Sequence, residues 1–226
     1  RPGAILIHGG KILDVVSIQE IPSHCPVEDI GNDVIMPGLV DTHVHINEPG
    51  RTDWEGFETA TKAAAAGGIT TLVDMPLNCI PVTTTVDALK QKLLVTQDQL
   101  WVDCGFYGGL IPDNLQDLES LADAGVLGFK AFLSHSGIDE FPNITEEHLR
   151  EALPVFAKKG VPVLVHAELE NDVIASEDYS TYKSFQDSRP KSWENNAVKL
   201  LIQLCQEYGA QIHIVHLSSS DVLTEI

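Results

Sequence analysis

No run of about 18 consecutive apolar residues occurs in this sequence, so no transmembrane helix is expected. Basic residues are scarce: 14 Lys and Arg face 33 Asp and Glu, a net charge of −19 at pH 7. Nucleic acids and anionic membrane surfaces need a basic footprint, and both are excluded as partners. There are four cysteines, Cys25, Cys79, Cys104 and Cys205, far apart and without a Cys-x-x-Cys pair. They form no disulfide framework and point to reduced, mostly buried thiols in a soluble intracellular protein of the cytoplasm or an organelle. The chain opens at Arg1 with no Met and no charged, then apolar, leader. It stops inside what reads as a new helix, Ser218 to Ile226, so the sequence is taken as cut at both ends and its targeting signals are unreadable. Two motifs are also missing. No Gly-x-Gly-x-x-Gly follows the first strand of the repeating region, which disfavours a dinucleotide site, and no Gly-x-Ser-x-Gly marks a nucleophilic serine.

What is present is a 226-residue chain, 43% hydrophobic and 21% charged, enough for one large domain with a small appendage. From Ala4 to about Val34 short β-like pieces (Ala4 to Ile7, Lys11 to Val16, Ile18 to Ile21) alternate with Gly9-Gly10 and a Pro-containing stretch. Residues 1–36 are read as part of a small β domain. After Pro37 the rhythm changes to short apolar runs, each followed by a helical stretch. Strands are expected at Leu39 to His43, Thr70 to Met75, Val102 to Tyr107, Leu127 to Phe132, Pro162 to His166 and Gln211 to Leu217. Helices are expected at Trp54 to Ala66, Val86 to Gln97 after Thr84 or Thr85, and Thr145 to Lys159 before Gly160. Thr145 forms an imperfect capping box, because His148 stands where a glutamate belongs. Six strand-helix units suit a doubly wound sheet or a (β/α)₈ barrel. A barrel takes roughly 250 residues, so the expectation for 37–226 is an α/β, TIM-type barrel truncated after about six units.

In such a barrel the chemistry collects at the C-terminal ends of the strands. The first strand ends Asp41-Thr42-His43-Val44-His45, the fourth holds Lys130, the fifth ends His166-Ala167-Glu168 and the sixth ends His216-Leu217-Ser218. His43 and His45, two apart on an extended chain, point to one side and can share a metal pair. His8, His24, His135 and His148 are read as ordinary side chains. His213, three residues before His216, is expected to face the opposite way and to lie outside the site. Lys130 sits in an apolar strand, where desolvation lowers an amine's pKa by up to 3–5 units. A neutral amine reacts with CO₂, and the resulting carbamate can bridge two cations about 3.5–4 Å apart.

These residues, with Gly128-Phe129-Lys130-Ala131-Phe132, Val163 to Glu168 and His213 to Ser219, resemble the metal-binding motifs of the cyclic amidohydrolases: dihydroorotases, hydantoinases or dihydropyrimidinases, and allantoinases. The resemblance runs over essentially the whole chain and covers about the first half of such an enzyme, a (β/α)₈ barrel with a small β-sandwich built from both chain ends. It implies that His43 and His45 bind the more buried of two divalent metals, that a carboxylated Lys130 bridges them, and that His166 and His216 bind the more exposed one. An aspartate after an eighth strand completes the family's site, and that strand is not in this sequence. Zinc is the default metal, with cobalt, manganese, nickel or iron also suited to these ligands. Asp41 and Glu168, next to ligands, are candidates for orienting imidazoles.

Within the family the discriminating stretch runs from His45 to Gly56. Dihydroorotases resemble it but carry an arginine where Asn47 stands, the natural partner of a substrate carboxylate. Asn47 offers neutral amide hydrogen bonds, which suit an uncharged ureido or ring amide. With Met75-Pro76-Leu77-Asn78 and Ser136 to Pro142, the segment looks most like the allantoinases. The implied reaction is hydrolytic opening of allantoin to allantoate by a metal-bound hydroxide. Asn47 and Asn78 are the candidate substrate contacts, the loop Leu133 to Asn143 a candidate cover, and Arg51, Asp53 and Trp54 candidates for fixing the turn before the first helix. The expected partner is a small cyclic ureide and the expected assembly a homo-oligomer. Alternatives are a dihydropyrimidinase, hydantoinase or dihydroorotase activity, or a non-catalytic dihydropyrimidinase-like interaction protein.

Overall fold

Glycines at positive φ decide the first element. Ala4–His8 (β1) and Lys11–Val16 (β2) form an antiparallel hairpin whose His8↔Lys11 pair leaves Gly9 and Gly10 as the turn, at φ 57° and 74°. A two-residue turn with both φ positive matches the twist of its strands, and glycine adopts it without strain. Ile18 to Ile21 is not a strand. Ile18–Glu20 makes one 3₁₀ turn, because the Glu20 carboxylate folds back to accept the Ser17 N–H at 3.0 Å and its hydroxyl at 2.7 Å. The structure, a computed structural model, describes residues 2–170 and 180–226, and its chain divides into two compact units, Arg1–Pro37 and Gly38–Ile226.

The second unit is built of parallel strands: Leu39–Val44 (β3), Ile69–Asp74 (β4), Asp103–Phe106 (β5), Gly108–Gly109 (β6), Phe129–Phe132 (β7), Val163–His166 (β8) and Ile212–Ile214 (β9). The order is β3-β4-β5 in one sheet and β6-β7-β8-β9 in the next, always in chain sequence. The run expected at Val102 to Tyr107 is thus two strands. Tyr107 interrupts it, donating its N–H to the Asp74 carbonyl at 3.0 Å, while Gly108 turns to the carbonyl of Gly128 at 2.9 Å. A doubly wound sheet reverses its strand order at a switch point, and no reversal occurs among the described strands.

Phe57–Ala66 (α1), Val86–Val95 (α2), Leu118–Asp123 (α3), Glu146–Lys159 (α4), Tyr182–Asp187 (α5) and Lys191–Tyr208 (α6) alternate with these strands. The first starts later than Trp54, because Asn47 and Arg51 carbonyls accept the Arg51 and Trp54 N–H groups and close turns there. The Glu48 carboxylate then accepts the Phe57 N–H at 2.9 Å. Thr85 caps α2 through the Ala88 N–H at 3.1 Å. His148 does what a glutamate does in a capping box: its Nδ1 accepts the Thr145 N–H at 3.1 Å. Gly160, at φ 67°, stops α4. Ser218 to Ile226 carries only a 3₁₀ turn, Ser220–Val222, rather than a helix. All four cysteines are free, and only Cys79 is fully buried.

Alternate strand residues feed two apolar clusters. Phe129, Ala131, Val163 and Val165 join the helices in the larger one, where Phe129 stacks on Phe156 of α4 with ring centres 4.5 Å apart. Val73, Phe132, Leu164 and Val215 face the other way, with Met75, Tyr107 and Phe141. Lys130 and His166 alternate with the first set, so they stand on this second face. No described helix is long and apolar enough to cross a membrane.

Candidate metal centre

On that second face the histidines gather. His43 lies in β3 and His45 one residue past its end; their ring centres are 5.4 Å apart. His216, two residues beyond β9, takes a left-handed φ of 41° that carries its ring to 5.7 Å from His43 and 4.8 Å from His166, the last residue of β8. The four imidazoles form a continuous chain, His45, His43, His216, His166, which spans from the first strand of the unit to the last two. Lys130 Nζ lies over the Phe132 ring at 4.7 Å, and that ring stacks on His166 at 5.0 Å.

The electrostatics favour neutral donors. Lys130 is 1% exposed, and burial alone pushes its amine down to about 7. Burial pushes His45 down to about 4, helped by the neighbouring charges of His43 and Lys130. His216 falls to about 4 through burial, Lys130 and His166, and His43 is lowered chiefly by burial and Lys130. At neutral pH these rings hold free lone pairs. His45 Nδ1 is buried with no hydrogen-bond partner among the described residues, as is Asn47 Oδ1. Neutral imidazole nitrogens and an unprotonated amine are the donor types that divalent transition metals take. As the side chains stand, no three described His, Cys, Asp or Glu residues form a ready metal shell. The imidazoles instead adjoin one another in pairs, on the same face as Lys130.

Glu168 pairs with His166 Nε2 at 2.9 Å and with Arg189 Nη1 at 2.9 Å; the hydrogen bond from His166 is the main reason its carboxyl is held below the usual range. Asp41 accepts the backbone N–H of His43 at 3.0 Å rather than an imidazole proton. Asn78 sits at φ 72°, and its carbonyl accepts from Arg51 Nη1 at 3.0 Å. Arg51 also pairs with Glu140 at 2.8 Å, so one guanidinium ties together the chain segments that follow β3, β4 and β7. Its place is structural, as is that of Trp54, over whose ring it lies at 5.0 Å.

The face expected for His213 is not the one it takes, although its side chain is exposed. His213 pairs across the ladder with Leu164, which pairs with Lys130, so His213 stands on the same face as the lysine, and its charge acts on His43. Strand parity holds only for a strand running through His216, but β9 ends at Ile214 and the left-handed turn at His216 resets it. Sequence reasoning also passed over a buried ion pair, Asp74 with Lys92, next to the loop that carries His45. Their separation of 18 residues gives no local signal.

Residues 34–225 match the amidohydrolase family. The chain belongs to that family. Among curated relatives it is 50% identical over 226 residues to the allantoinase of Streptomyces avermitilis, covering 99% of this chain and 51% of that protein. It is 48% identical to the mitochondrial allantoinase of Aquarana catesbeiana over 225 residues, covering 98% and 46%. The chain thus spans about half the length of the curated relatives it matches. Among solved structures it superimposes on the L-hydantoinase (dihydropyrimidinase) from Arthrobacter aurescens with a TM-score of 0.84 at 30% identity, covering 99% of this chain and 51% of that one. A dihydropyrimidinase from Brevibacillus agri gives 0.76 at 26% identity, covering 98% and 50%.

Proposed function

We propose that this amidohydrolase-family chain carries most of the metal site of an enzyme that hydrolyses the ring amide of allantoin to give allantoate. The observation that carries the reading is the gathering of four imidazoles, from His43, His45, His166 and His216, on the strand face that also holds the buried Lys130. In this reading the second unit is part of a (β/α)₈ barrel, supported by its sequential parallel strands, and residues 1–36 belong to a small β-sandwich. His43 and His45 would hold one divalent cation and His166 and His216 a second, zinc being the default. The unpartnered Nδ1 of His45 supports the fit, since a buried ring nitrogen without a hydrogen bond is costly unless something else takes its lone pair. Lys130 Nζ, of which about half is unprotonated at pH 7, would add to CO₂: the N–C bond forms as one C=O π bond opens to an oxyanion, the nitrogen loses a proton to solvent, and the carbamate would provide oxygen donors for the cations. When bound, the cation pair supplies Lewis acidity and lowers the pKa of water into the neutral range.

The chain's own side chains do the rest. Glu168 holds His166 by its ring N–H and so fixes which nitrogen is left to donate. Asn47, neutral and buried with a free carbonyl oxygen, suits a ring N–H of an uncharged ureide, and no guanidinium stands there to select a carboxylate. Asn78 would contribute a second amide contact. The allantoinase names of the relatives favour this substrate; the hydantoinase likeness at a TM-score of 0.84 favours a second reading, a dihydropyrimidinase or hydantoinase. Turnover of allantoin, dihydrouracil and dihydroorotate by the natural protein separates them. Allantoin hydrolysis alone is expected; turnover of dihydrouracil with none of allantoin overturns the substrate assignment.

A further inference from the structure

The proposed chemistry makes no use of the buried pair beside the histidines. Asp74 ends β4 and Lys92 comes from α2; they are 0% and 1% exposed, with Nζ 2.5 Å from Oδ2. Desolvating two charges is costly, and a well-packed apolar pair of similar volume often serves stability as well or better. Stability therefore gives no reason for a carboxylate at this strand end, but its contacts do. Lys92 occupies Oδ2 and also donates to the Met75 carbonyl at 3.3 Å, which leaves Oδ1 to accept the Ile46 N–H at 2.7 Å. On the other side of His45, the Val44 carbonyl accepts the Met75 N–H at 2.7 Å. The peptide groups on either side of His45 are thus both tied to residues 74 and 75, and these are themselves braced by Lys92.

We propose that Asp74, held in place by Lys92, is a positioning residue for the His43-Val44-His45 segment: it fixes the backbone that presents these two imidazoles, so that a divalent cation binds without first having to order it. Neither residue touches substrate. The inference rests on the reading that His43 and His45 hold a metal, and it goes beyond that reading by assigning the device that prepares the site. The pair's two functions, charge pairing and acceptance of the Ile46 N–H, can be separated by substitution. D74L/K92M removes both. D74N/K92M removes the charges but keeps an amide oxygen for Ile46.

The test uses the natural protein, zinc alone as the probe, a chromophoric chelator in competition, and melting of the metal-free forms. Both double variants are expected to fold without metal, D74N/K92M melting close to wild type and D74L/K92M somewhat lower, because the buried Ile46 N–H loses its acceptor. D74L/K92M is expected to bind zinc about 10–100-fold more weakly, the usual effect of removing a group that orients a ligand, whereas D74N/K92M stays near wild type. Equal zinc affinity in wild type and D74L/K92M overturns the inference while leaving the metal reading intact. So does an equal loss in both variants, which would tie the effect to charge rather than to the Ile46 bond. If neither variant folds without metal, the pair is structural and the inference fails. Wild-type protein that takes up no zinc instead sinks the metal reading itself.

Discussion

Replacing Lys130 by methionine should stabilise the metal-free protein while removing the proposed carbamate site. The lysine is 1% exposed, and burial takes its amine from an ordinary value of 10.5 down to about 7. Between those values the unfolded chain holds a proton that the folded chain has lost, so wild-type stability rises with pH across the window and carries its full penalty below pH 7. At about 1.4 kcal/mol per pH unit the penalty amounts to roughly 4 kcal/mol at pH 7. The Phe132 ring, 4.7 Å from Nζ, returns part of it, which leaves an expected gain of about 2–4 kcal/mol for K130M. Methionine nearly conserves the volume and adds no cavity. The assay is urea unfolding of chelator-treated protein in CO₂-free buffer at pH 6.5, 8 and 9.5. The advantage of K130M should be largest at pH 6.5 and shrink steadily toward 9.5. A variant less stable than wild type at pH 7, or a difference that does not change with pH, refutes the argument that Lys130 is a desolvated amine.

Glu168→Gln keeps an acceptor for His166 but removes the charge, and should weaken zinc binding about 10–100-fold in a competition titration. Unchanged affinity would remove Glu168 from the site. Phe156→Ala deletes a fully buried ring stacked 4.5 Å from Phe129 and should cost about 3–5 kcal/mol in denaturant unfolding. A loss below about 1 kcal/mol would mean that α4 repacks onto β7.

The parts of this account readable from sequence are those written locally. His43 and His45 share a side because a strand repeats every second residue, and the polar residues at the ends of apolar runs mark the site face because parallel strands deliver their C-terminal ends together. Where a contact depends on a partner far along the chain, the sequence is silent. The Asp74–Lys92 pair exists only because the chain brings Lys92 of α2 back to the end of β4, and the break at Tyr107 only because its neighbours bond to different sheets. Strand parity does not extend past Ile214, so it does not place His213 relative to His216. Ile18 to Ile21 turns despite its β-like sequence because a single glutamate, Glu20, satisfies Ser17 twice.

The most direct test counts metal and CO₂ in the natural protein after zinc loading and removal of excess ion. Two zinc equivalents and one acid-releasable CO₂ per chain, the latter lost in K130M, are what His43, His45, Lys130, His166 and His216 should yield together. A chain that retains neither would contradict the account at its centre.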